Sequence, residues 1–296
     1  MNKKPTDVQL NREEQQEAAS QSTTQPRRLF VVRRDRRIVG DKLPTNERRQ
    51  VTLVISPGKI AFTLALVVLC LLLGHVITRA VIFFSGHNTI GGLIPQFDLN
   101  GEANIPTWYS SSALLLASAL LAMIAIVKLQ WQETYARHWV GLAAVFLYLS
   151  IDEAARFHEM GSTLALLIIP SIVDFANLSP AVSAVIANIP SYTWVVFGAF
   201  FVLLFSLAYL RFLIHLPVRT RSLFVLAGIL YVGGALGVEL LGAWSAYLHG
   251  GETTLEYAML VLWEEGFEMI GIVVFIYALT SYLGPRLTNL RIRVAG

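Results

Sequence analysis

The stretch Leu149-Ser-Ile-Asp-Glu-Ala-Ala-Arg-Phe-His-Glu159 sets two acids, an arginine, an imidazole and a third acid within or just beyond a long apolar run. Further along, Glu239 stands alone in another apolar run, and Glu264-Glu-Gly-Phe-Glu268 opens into a third. A charged side chain at the centre of a bilayer costs a few kcal/mol on insertion scales, so such residues mark a site unless they neutralise one another. Eight ionisable groups, Asp152, Glu153, His158, Glu159, Glu239, Glu264, Glu265 and Glu268, face two cationic partners, Arg79 and Arg156. Excess negative charge in a low dielectric either takes up protons or holds a cation. The competing reading is structural: Arg156 is helix-spaced to both Asp152 and Glu159, and Arg79 is free to neutralise a further acid.

Carboxylates joined by one or two imidazoles suit Zn, Mn or Fe, which makes His75, His158, Glu159 and Glu268 candidate ligands of a divalent metal. A carboxylate-bridged di-iron bundle needs a Glu-x-x-His pair on each of two helices, and none occurs here. A zinc hydrolase could instead use His75, His158 and His249, with Asp152 or Glu159 as general base, although no spacing supports that triad. Asp98, Asn100 and Glu102 resemble the start of a calcium loop, but Tyr109 stands where the closing bidentate Glu is required, so that reading fails. Cys70, the one cysteine, excludes an intramolecular disulfide framework.

The elements that must position these groups follow from composition. The chain is 55% hydrophobic and 15% charged, against about a quarter charged in soluble domains, which points to a membrane protein. Thirteen of the 23 Lys and Arg fall in residues 1–59, so the basic pI describes a tail, and nucleic-acid binding is a poor reading of it. Residues 1–26 are polar and expected to be disordered. No signal peptide is expected, because the first long apolar run begins only near Lys59. The interleaved basic and apolar residues of 27–49 could meet anionic lipid headgroups, or serve simply as a flank that fixes orientation.

Apolar runs at about 60–83, 109–129, 139–159, 191–214, 222–247 and 255–282 each approach the ~20 residues that cross ~30 Å of hydrocarbon as a helix. The expectation is an all-α polytopic bundle of six transmembrane helices. It comprises a cytoplasmic tail over 1–58, the membrane domain over 59–283 and a short basic terminus over 284–296. Lys128, Arg137, Arg211, Arg219, Arg221, Arg286, Arg291 and Arg293 occupy alternate links, while 84–108, 160–190 and 248–254 contain no Lys or Arg. The positive-inside rule then places both termini in the cytoplasm.

At 1.5 Å per residue, Asp152 should lie about 20 Å from the cytoplasmic face and Glu239 and His75 about 24 Å, with Glu264 about 12 Å and Glu268 about 18 Å below the outer face. Residues from four spans could therefore converge in the outer half of the membrane. Helical phase puts Asp152 and Glu159 on one face with Arg156 between them. Gly233-x-x-x-Gly237 is a small-residue spacing that lets helices approach closely near Glu239, and the serines at 110–112 and 118 can bond across helices. In the third run of each half an acid pair, Asp152-Glu153 or Glu264-Glu265, is followed by Phe157-His-Glu-Met-Gly161 or Phe267-Glu-Met-Ile-Gly271, a pattern expected of an inverted repeat with ion sites at its interface.

Asn104-Ile-Pro-Thr-Trp-Tyr109, the 149–159 stretch and Glu264-Glu-Gly-Phe-Glu-Met-Ile-Gly271 together resemble an uncharacterised family of bacterial multi-span membrane proteins. The resemblance covers most of 60–282 and implies an inner-membrane location, with no established activity to carry over. Three readings stand at this point. One is a carboxylate-histidine site, open to the outer side, that binds protons or a divalent cation for transport or gating. Another is a metal-dependent membrane enzyme acting on a lipid or other apolar substrate. The last is a scaffold whose buried charges merely pair.

Overall fold

The computed structural model describes residues 56–86, 91–157, 193–249 and 251–287. The readings made for 1–55, for His158, Glu159 and the 160–190 link, and for Arg291 and Arg293 lie outside the described residues. Within them the chain is helical: α1 (Pro57–Ser85), the short α2 (Leu93–Gln96), α3 (Ile105–Gln130), α4 (Ala136–Ala155), α5 (Thr193–His215), α6 (Val218–Val232), a π-helical segment (Gly233–Val238), α7 (Glu239–His249) and α8 (Leu255–Leu287).

Apolar side chains cover these helices on faces that meet no protein. On α5, Phe197, Phe200, Phe201, Leu203, Leu207 and Ile214 are all more than half exposed, and on α1 so are Phe62, Leu69, Phe83 and Phe84. A water-soluble chain rarely shows contiguous apolar surface on this scale, and lipid is the solvent that accepts it. Pro57–Ser85, Ile105–Gln130, Phe197–His215 and the continuous Val218–His249 are long and apolar enough to cross a membrane.

Among the described residues the expected six spans are thereby corrected to four candidate spans. The other two expected spans are present as helices but differ in kind. Helix α4 ends on Asp152 and Glu153, and α8 carries Glu256, Glu264, Glu265 and Glu268 in its first half. Helix α8 also obtains its burial from protein: Met269, Ile276 and Leu279 are fully buried, and Ile272, Ala278 and Leu283 nearly so. It packs on α1, α3, α6, α7 and the π segment, which makes it the hub of the described bundle.

Serine bonds fix α3 against α4. Ser111 Oγ donates to the Ser150 carbonyl at 2.7 Å, Ser150 Oγ returns a bond to the Ser111 carbonyl at 2.8 Å, and Ser118 Oγ donates to the Ala143 carbonyl at 2.7 Å. Aromatic stacking ties α4 to α8 through Trp139 on Tyr282 and Phe146 on Phe275. Asn104 caps α3: its Oδ1 accepts the Thr107 amide at 3.1 Å, while its Nδ2 donates to the Asp98 and Gly101 carbonyls. One side chain thus sets both the helix start and the shape of the preceding loop.

Candidate functional site

The close contact between the Val218–His249 helix and α8 is made by two glycines. A Cβ on Gly234 would lie 2.7 Å from the Glu264 carbonyl and 2.9 Å from Glu268 Cγ. On the facing helix, a Cβ on Gly271 would lie 2.8 Å from the Tyr231 amide nitrogen. Neither position has room for a side chain, so the two backbones meet there. The glycine that matters differs from the expected pair, because Gly233 and Gly237 both face open space. The reason is the π segment, whose wider turn shifts the angular phase that uniform α-helix would have given these glycines.

The acids assemble around this contact. Glu239, the first residue of α7, lies within electrostatic reach of Glu264, which also feels Glu268 and Glu265. Glu265 lies within electrostatic reach of Glu153 from α4 and Glu102 from the 91–104 link, as well as of Glu239. Glu268 feels Glu265, Glu153 and Glu239. The Tyr231 hydroxyl sits in the field of Glu268, Glu153, Asp152 and Glu265. All of these acids are half-buried. The structure therefore brings Glu153, Glu239, Glu264, Glu265 and Glu268 into one neighbourhood, with Asp152 at its edge.

A second group caps the same end of the bundle. Arg79 Nη2 donates to Asp98 Oδ1 at 2.5 Å, and Arg156 Nε pairs with Glu102 Oε2. His75 is 1% exposed, and its Nδ1 accepts the Leu99 amide at 3.0 Å, so its proton sits on Nε2 when the ring is neutral. That Nε2 and Arg79 Nε are buried and make no hydrogen bond. Asn100 Oδ1 accepts the Tyr257 hydroxyl at 3.2 Å, which ties this loop to the start of α8.

One expectation about the 149–159 stretch is corrected. Helix α4 ends at Ala155, not at 159, because Arg156 adopts a left-handed conformation (φ 59°) and its amide closes onto the Asp152 carbonyl at 2.7 Å. A left-handed residue terminates a helix, so the described helix stops at Ala155. The Arg156 side chain reaches across to Glu102.

The electrostatic neighbours of His75 are Arg79 and Asp98, in the capping group. Sequence reasoning passed over Asp98 and Glu102, which it weighed only as a failed calcium loop. The signal available was the absence of Lys and Arg from that link, which leaves its acids free for arginines elsewhere.

Among the described residues, no group of three or more His, Cys, Asp or Glu side chains is placed to hold a metal ion. His249 is turned toward its own helix, with Nδ1 2.9 Å from the Ser245 carbonyl oxygen and Nε2 3.8 Å from Glu256. His75 has Nδ1 occupied by Leu99. His158, the third member of the proposed zinc triad, lies outside the described residues.

Residues 60–283 match a protein family described as domain of unknown function (DUF8692). No curated protein and no solved structure matches the chain.

Proposed function

We propose that this chain, which belongs to the DUF8692 family of unknown function, is an integral membrane protein whose carboxylate cluster binds protons, or a cation in their place, for transport or gating. The observation that carries the reading is the gathering of Glu239, Glu264, Glu265, Glu268 and Glu153 around the Gly234 contact. Two carboxyls can hydrogen-bond only if a proton lies between them, and a cation between their oxygens would satisfy the same charge. Glu265, Glu268 and Glu153 surround the pair with further acceptors, while the capping arginines engage Asp98 and Glu102.

In this reading the four apolar helices face lipid, and α4 and α8 stand at membrane depth behind them. The Lys128 end faces the cytoplasm with both termini, as the basic links require, in a bacterial inner membrane. The capping loop then lies on the outer side, and Glu102, which is coupled to Glu265, links it to the cluster. Protons would enter past Glu102 and rest on the Glu239–Glu264 pair. A metal-dependent enzyme needs several donors to converge, and nothing in the described site favours that alternative.

Infrared difference spectroscopy over a pH titration tests the pair directly. The carbonyl stretch of a protonated carboxyl should appear in the parent protein and be lost in both Glu239→Gln and Glu264→Gln. Retention of an unchanged band in both variants would remove the shared proton from the account.

A further inference from the structure

At the opposite end of the bundle, a cavity of about 220 Å³ opens between the last turns of α3, α5 and α8 and the start of α4. Its walls include Lys128, Glu133, His215, Trp139, Phe212 and Tyr282. We propose that this cavity seats the phosphate of an anionic glycerophospholipid headgroup.

Lys128 is a lysine with only 10% of its side chain exposed. Its ammonium pairs with Glu133 and lies 5.7 Å from the centre of the Tyr282 ring. An ammonium has three donors, so a carboxylate on one side leaves capacity for an anion on the other. The surroundings favour that anion. Arg219 and Arg221 stand on the adjoining first turn of α6, bonded to the Tyr277 hydroxyl and the Ile214 carbonyl, and His215 lines the wall. Glu133 is the single acid between residues 123 and 151 and between 193 and 238.

The cavity is also placed for a lipid more than for a soluble phosphate. Helix α5 runs to His215 with Leu207, Leu210 and Ile214 about half or more exposed, a track for acyl chains that leads to the cavity mouth. Trp139, Phe212 and Tyr282 form the apolar floor that aromatic residues supply at membrane interfaces. The volume suits a headgroup and falls below the several hundred Å³ of typical pockets for whole drug-sized molecules.

The test is native mass spectrometry of the full chain in neutral detergent, titrated with phosphatidylglycerol, with phosphate-free diacylglycerol and with sn-glycerol 3-phosphate. The expected result is retention of phosphatidylglycerol, with diacylglycerol and the free phosphate at least tenfold weaker. Lys128→Met should weaken phosphatidylglycerol about tenfold, in line with a lost charge-assisted bond, and Glu133→Gln should tighten it by releasing the ammonium. If Lys128→Met fails to fold, His215→Gln and Glu133→Gln decide. Equal retention of diacylglycerol, equal binding of the free phosphate, or phosphatidylglycerol binding indifferent to Glu133→Gln and to Lys128→Met, or to His215→Gln in its place, would each overturn the proposal.

Discussion

Arg79 and Arg156 each pair with an acid in the loop before α3. Arg79 and Asp98 are 33% and 27% exposed at their side chains, so solvent screens the pair. A double-mutant cycle on Arg79→Ala and Asp98→Ala should return a coupling of about 1 kcal/mol, the upper range for part-exposed ion pairs. His75 contributes differently: His75→Phe removes the acceptor of the Leu99 amide and should cost about 1–3 kcal/mol, read as a lower thermal midpoint in detergent. These partners were only half legible in the sequence. The acid excess in the 84–108 link is visible there, but which arginine each acid meets depends on the loop shape that Asn104 imposes.

On the scale of elements, the helices were readable because apolar runs of this length have few alternatives. Their details were not. The end of α4 depends on a left-handed arginine, and the π segment depends on packing against α8, and neither leaves a periodic signal. The small-residue pattern pointed to the correct helix but to Gly233 and Gly237, whereas Gly234 makes the contact. A paired substitution checks this. Gly234→Ala should destabilise by about 1–3 kcal/mol through overpacking against the Glu264 backbone. Gly233→Ala, with nothing within 4 Å, should be neutral or slightly stabilising through helix propensity. Equal thermal shifts for the two would contradict the described interface.

For the whole molecule, the pattern is an apolar exterior around a hub helix that carries acids in its first half and a tightly buried apolar surface in its second. Composition made the membrane class plain, because it depends on the average over hundreds of residues. Among the described residues, four of the six apolar runs are helices long and apolar enough to cross a membrane. Cys70, exposed on α1, reports on this arrangement. In intact vesicles it should resist a charged maleimide from either side and react once the protein is unfolded; rapid labelling before unfolding would put that face in water. The central claim concerns the acids, and it is tested most directly by proton flux into vesicles carrying the purified protein under an imposed pH gradient. The account predicts flux above empty vesicles that Glu239→Gln and Glu264→Gln abolish and Gly233→Ala leaves intact, and flux unaltered by both glutamine variants would contradict it.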